Sequence, residues 1–216
     1  NGSSRQPLSG KPPRHIVLLL HGYGSSGADL ISFAPLWQQA LPYALFLAPN
    51  APQSSGYQGY QWWPLTEFTP QALAADAAGA AGAINAYIDR KLAQYGLTEQ
   101  SLAIVGFSQG TMMALQVGLR RERQVAAIVG YSGMLTGAPD LARQIVTKPP
   151  VLLVHGAADP IVPVAALHMA EKELRALGVD VTAHETPGLG HSVDPDGLRK
   201  GVEFIASRLE TAGGEP

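Results

Sequence analysis

The sequence predicts an α/β fold, with a mostly parallel central sheet covered by helices on both faces. Three observations carry this. Short, near-continuous apolar runs recur along the 216 residues, as strands buried on both faces require. Helix-like segments separate the runs, which favours parallel pairing through helical crossovers over hairpins. Hydrophobic residues make up 46% of the chain and charged residues 15%, enough to fill one core at this length.

The elements follow in order. Residues 1–14 show no apolar pattern and are expected to be a flexible N-terminal arm or an expression-vector remnant. A single domain is expected over 15–210, with 211–216 as a C-terminal tail. The candidate strands are His15–Leu20, Ala44–Ala48, Leu102–Val105, Val125–Val129, Val151–Val154 and Val179–His184. Thr69 and Pro70 suit the cap and first turn of a helix from about Gln71 to Tyr95, and Gly96 suits its stop. The very small side chains of Ala74–Gly82 are read as close packing of that helix on the sheet. Further helices are expected from Thr111 onward, over Pro163–Leu177 and over Pro195–Leu209. Pro49–Pro64 is the longest irregular stretch, and long loops after strands in such sheets tend to line the site. No internal repeat or linker divides the chain.

Composition excludes several classes of function. A net charge of −2 argues against nucleic acid, which requires a basic face. There is no cysteine, so disulfides, thiolate metal sites and a Cys nucleophile are out. This fits a reducing compartment, and a cytoplasmic location is expected. The longest aliphatic run, Ile16–Leu20, is far too short to span a bilayer. Residues 1–6 lack the apolar core of a signal peptide. The oligomeric state stays open, a homodimer included.

Chemistry is written most clearly at Gly106-Phe107-Ser108-Gln109-Gly110. A Gly-x-Ser-x-Gly between an apolar run and a helical pattern is the layout of a nucleophile elbow. A neutral Ser hydroxyl is a poor nucleophile, so it needs a base and a group to orient that base. Asp159 follows the run Val151–Val154, and His191 sits in Gly188-Leu189-Gly190-His191-Ser192 before the last helix. The order Ser, Asp, His fits a strand–turn–helix nucleophile. The Gln109 N–H, at the helix start, is one expected oxyanion donor, and the Tyr23 N–H in Leu20-His21-Gly22-Tyr23-Gly24 is the second.

Bland readings stand beside these. Asp194 and Asp196 rival Asp159, but with Pro195 they read better as the start of the last helix. His21 and His155 precede Gly at strand ends and read as structural residues that hold the turns; His15, His168 and His184 fit a base less well than His191. Arg120-Arg121-Glu122-Arg123 reads as a solvated helix end. No His/Asp/Glu cluster has metal-ligand spacing. Trp62 and Trp63 fit either an apolar wall for an acyl chain or pins that hold the long loop. Met134 is a further candidate for lining the substrate pocket, a core role being equally open.

Together with Ala48-Pro49-Asn50-Ala51-Pro52 and His155-Gly156, these motifs resemble the phospholipase/carboxylesterase family, which includes the acyl-protein thioesterases. The resemblance covers about residues 15–209 and keeps motif order. It implies an α/β-hydrolase fold without a large cap domain, and an acyl ester as substrate. It further implies Ser108, Asp159 and His191 as catalytic triad, Tyr23 and Gln109 as oxyanion donors, and no cofactor. Many members carry an Asp soon after the first His-Gly-x-Gly, where this chain has Ser25-Ser26. Gln61-Trp62-Trp63-Pro64-Leu65 is closer to bacterial members. The expected activity is a serine carboxylesterase, with thioesters and lysophospholipids as related substrates. A serine peptidase or lactone hydrolase would use the same residues, and a binding protein on a silent hydrolase scaffold is the reading from another class.

Overall fold

The computed structural model describes residues 2–56 and 59–212. Its strands are β1 Gly2–Arg5, β2 His15–Leu20, β3 Ala44–Pro49, β4 Gln53–Ser54, β5 Tyr60–Gln61, β6 Leu102–Phe107, β7 Ala127–Tyr131, β8 Val151–Gly156 and β9 Val181–Thr186. Its α-helices are α1 Gly27–Leu30, α2 Ala34–Trp37, α3 Pro70–Tyr95, α4 Gln109–Gly118, α5 Ala138–Gln144, α6 Ala165–Ala176 and α7 Pro195–Ala212. Seven strands form the main sheet in the order β1-β3-β2-β6-β7-β8-β9. All neighbours pair in parallel except β1 with β3.

The apolar runs are continuous because both faces of the sheet are covered. Along β2, Ile16, Leu18 and Leu20 enter one core with side chains of α3, α4 and α6. Val17 and Leu19 enter the other, with Trp37 of α2 and Ile205 of α7. The alternation is the pleat of the strand acting on a uniformly apolar sequence.

Connectivity places the site. From β2 the chain turns to β3 on one side, then crosses to β6 on the other. The direction of winding therefore switches between β2 and β6, which leaves a crevice at their carboxyl ends. The residues after β2, β6, β7, β8 and β9 all lie on that rim.

The structure corrects several expectations. Gly2–Arg5 is not a loose arm: it pairs antiparallel with β3, in the register Gly2 to Pro49 and Arg5 to Phe46. Backbone pairing and a hydrogen bond from Arg5 Nε to Gln38 Oε1 at 2.9 Å hold it, and neither leaves a hydrophobic signature in the sequence. Residues 49–64 are not irregular throughout. β4 and β5 pair there as a hairpin, and its residues 57–58 lie outside the described set. The expected tail begins inside α7, which runs to Ala212; residues 213–216 are not described. Arg121 is not solvated, its side chain being only 9% exposed. It meets Asp89 at 2.6 Å, Glu99 at 2.9 Å and Asn85 Oδ1 at 2.9 Å, tying the turn after α4 to α3 and to the residues that lead into β6. Among the described residues no helix is long and apolar enough to cross a membrane.

The α3 boundaries are as expected. Thr69 Oγ1 accepts the Ala72 N–H at 3.2 Å, and Gly96 closes the helix with φ of 65°. Its small-residue stretch packs only in part: Ala77 enters the core beneath the sheet, with Ala80 and Ala81 against it, while the two glycines face open space. Of Ala74–Gly82 only Ala77 is buried, and a Cβ on Gly79 or Gly82 would meet nothing within 4 Å. Gly79→Ala with Gly82→Ala is therefore expected to stabilise the protein by about 1–2 kcal/mol, since each removes backbone freedom from the unfolded chain. Thermal or urea unfolding measures this, and an unchanged midpoint would contradict it.

Candidate active site

The elbow forms because two glycines let three chain segments meet. A Cβ on Gly106 would collide with the Gly110 carbonyl, and one on Gly110 with the Leu20 carbonyl. Strand β6, helix α4 and strand β2 thus approach to backbone contact. Ser108, between them, is forced to φ 54° and ψ −117°, a region that costs a non-glycine residue about 1–3 kcal/mol. The Ser108 N–H is held by the Tyr131 carbonyl at 2.9 Å, and its own carbonyl accepts the Thr111 N–H at 2.9 Å. The strain is over-determined by packing and lifts the hydroxyl onto the rim.

The three residues that sequence order linked converge there. Ser108 Oγ lies 3.0 Å from His191 Nε2, and His191 Nδ1 lies 2.7 Å from Asp159 Oδ2. These contacts join residues 83 and 32 positions apart. The carboxylate fixes the tautomer: Nδ1–H donates to Asp159, so Nε2 presents its lone pair to the hydroxyl. The Phe107 ring packs against the imidazole at 5.0 Å between centroids.

Asp159 is held from every side. Its Oδ1 accepts the N–H groups of Ile161 and Val162, both at 2.9 Å. Its Oδ2 also faces His155 Nε2 at 3.4 Å, and that nitrogen donates to the Val162 carbonyl at 2.8 Å. Burial by itself would raise the carboxyl pKa. The hydrogen bonds from His191, Val162 and Ile161 outweigh it and hold Asp159 below the ordinary carboxylate range. The rival acids do what helix starts require. Asp194 accepts the Gly197 N–H at 2.9 Å, and Asp196 pairs with Arg199 at 2.6 Å.

The residues expected to carry the oxyanion donors flank the elbow. Gln109 opens α4, where a helix leaves its first N–H groups without intrahelical acceptors. The loop carrying Tyr23 lies against the elbow: a Cβ on Gly22 would come within 3.3 Å of Ser108 Cβ. The Tyr23 side chain itself points outward and is 44% exposed.

The pocket residues separate. Met134 lines an apolar cavity of about 560 Å³ with Phe68, Leu73, Leu135 and Met169. Its neighbour Gly133 rests on the elbow, its Cβ position 2.8 Å from the Ser108 carbonyl. Trp62 and Trp63 do not share that cavity. Both are buried and line a smaller cleft beside α3. Trp62 is a pin, since its backbone N–H donates to Gln109 Oε1 at 3.0 Å and its indole N–H to the His21 carbonyl at 2.9 Å. The Gln109 amide completes the tie by donating to the Trp63 carbonyl at 2.9 Å.

Sequence reasoning missed two supporting residues. Ser132, after β7, is the other described non-glycine with positive φ, at 46°. Its hydroxyl donates to the Ser192 carbonyl at 3.3 Å, tethering the loop of His191. The Gln109 side chain was passed over for its backbone. In neither case does the sequence show the partner, because each bond spans more than 40 residues. Among the described residues no group of three or more His, Asp or Glu could hold a metal ion.

Known proteins match this sequence and fold. The sequence profile of the phospholipase/carboxylesterase family matches residues 8–209. Acyl-protein thioesterase 1 of Gibberella zeae is 27% identical over 213 residues, covering 89% of this chain and 90% of the relative. Esterase YpfH of Escherichia coli is 26% identical over 200 residues, covering 90% and 83%. The crystal structure of esterase PE8 superposes with a TM-score of 0.91 at 39% identity, covering 96% of this chain and 98% of that one. With a family profile that spans every parallel strand of its sheet and the loops at their carboxyl ends, the chain belongs to the phospholipase/carboxylesterase family and is a hydrolase of the α/β-hydrolase type.

Proposed function

We propose that the protein is a serine carboxylesterase that transfers the acyl group of an ester to water, by chemistry that serves thioesters and lysophospholipids equally. The hydrogen-bonded series Ser108–His191–Asp159, with spacings of 3.0 and 2.7 Å, carries this reading. Ser108 Oγ attacks the carbonyl carbon while His191 Nε2 accepts its proton. Asp159 orients the imidazole and stabilises its cation. The N–H groups of Tyr23 and Gln109 receive the oxyanion. His191 then protonates the leaving alcohol or thiol, and a water repeats the cycle on the acyl-enzyme. The apolar cavity bordered by Met134 suits the acyl chain.

A hydrolysis series from acetyl to palmitoyl esters, with matching thioesters, tests the reading. With a cavity of this size, kcat/KM is expected to rise from acetyl through the first added methylenes, by up to about fourfold each. Met134→Asp should flatten that rise. A wild-type protein that cleaves none of these substrates would refute the assignment, and faster turnover of amides than of esters would favour the peptidase.

A further inference from the structure

His21 is wholly buried and takes no part in the proton transfers above, yet both its ring nitrogens are engaged. Nε2 lies 3.0 Å from the Ala51 backbone nitrogen, and Nδ1 lies 2.7 Å from the Gly22 carbonyl oxygen. An amide N–H only donates, so Nε2 must carry the lone pair. The proton therefore sits on Nδ1 and is donated to Gly22. Burial of the ring lowers its pKa and keeps it in this neutral tautomer.

The Gly22 carbonyl belongs to the same peptide unit as the Tyr23 N–H. In a trans peptide the two point in opposite directions, and among the described residues no peptide bond is cis. Fixing the carbonyl therefore fixes the direction of the N–H. We infer that His21 is a positioning residue for the proposed reaction: by gripping the Gly22 carbonyl it turns the Tyr23 N–H outward from the core, toward the oxyanion formed on Ser108. This rests on the esterase reading above.

The grip is reinforced from the other side of the site. Trp62 donates its indole N–H to the His21 carbonyl and its backbone N–H to the Gln109 side chain. Gln109 supplies the other oxyanion donor. One tryptophan thus ties the peptide just before that of the Tyr23 N–H to the side chain of Gln109, and its ring lies 5.4 Å from that of His21. The loop of Tyr23 is pinned further by backbone pairing, the Gly24 N–H to the Tyr60 carbonyl at 2.9 Å and the Tyr60 N–H to the Ser25 carbonyl at 2.8 Å. The peptide plane is set before substrate arrives, as electrostatic preorganisation requires.

Two substitutions separate positioning from mere structure. Asn at 21 places an amide N–H near the site of Nδ1 but cannot reach Ala51. Gln at 21 can accept the Ala51 N–H but leaves the Gly22 carbonyl ungripped. His21→Asn is expected to melt earlier and keep kcat within about threefold of wild type. His21→Gln is expected to melt later than His21→Asn and lose about 10²-fold in kcat, the scale of one lost oxyanion donor, with KM within about twofold. Trp62→Phe, which removes the indole donor and part of the ring but keeps the backbone N–H to Gln109, should reduce kcat by less than His21→Gln does. Equal kcat in the Asn and Gln variants, or activity that simply follows melting temperature, would overturn the positioning role. A wild type inactive on every acyl substrate would instead overturn the esterase reading, and the positioning role with it.

Discussion

Ser108→Ala is expected to lower kcat on an acyl ester by about 10⁶-fold, or about 8 kcal/mol of transition-state stabilisation. The residual rate should match that of a protein retaining the proposed Tyr23 and Gln109 donors and the proposed acyl cavity but no nucleophile. The fold should survive. The backbone at 108 is held by the Tyr131 carbonyl and by contact of β6 with α4 and β2, and none of these involves the hydroxyl. A fluorophosphonate should label the wild type once per chain and the variant not at all. Intact-mass spectrometry and ester hydrolysis read both outcomes, and full turnover by Ser108→Ala would discard the mechanism.

Asp159→Asn has the next largest expected effect, about 10⁴-fold in kcat near neutral pH. The variant amide can still accept the Ile161 and Val162 N–H groups through its oxygen. Its nitrogen then faces His191 Nδ1 with a donor where an acceptor is needed. The imidazole proton moves to Nε2, and the lone pair that should receive the Ser108 proton is lost. A rate close to wild type would place the acid elsewhere on the rim.

The same substitution has a stability signature. The Asp159 pKa is lower in the folded protein than its ordinary value of 3.8. A carboxylate of this kind stabilises the fold at pH values above 3.8, and that contribution is lost as pH falls through the depressed folded value. The gap in melting temperature between wild type and Asp159→Asn should therefore be constant from pH 5 to pH 8, by about that reckoning, and close below pH 3.8. A gap that narrows instead near neutral pH would point to another titrating group.

Much of this was legible in the chain itself. Six apolar runs gave six strands of the parallel sheet, within about two residues at each boundary. They were readable because a strand buried on both faces has no freedom to be polar. The elbow at Ser108 was legible because so sharp a turn from strand to helix needs small residues on either side. Asp159 and His191 were legible from order, since each follows a strand and the rim collects strand ends. What was misread lacked a side-chain signature. β1 is held by backbone bonds, and the hairpin β4–β5 is two residues per strand. The small residues of α3 fit a buried face as well as an open one, because Ala and Gly are compatible with both.

The sequence by itself determined the sheet, the elbow that carries Ser108 and the order in which Asp159 and His191 follow it, because those follow from local patterns of apolarity, turn chemistry and connection length. Only the tertiary structure decided which side chains meet across the rim. It showed that Trp62 is tied to Gln109 and His21 while Met134 opens on the large cavity, and that His21 grips the peptide bearing the Tyr23 N–H. The reason is physical. Hydrogen bonds between residues tens of positions apart depend on where the sheet's crossovers bring each loop, and a single polar residue in a sequence carries no record of its distant partner.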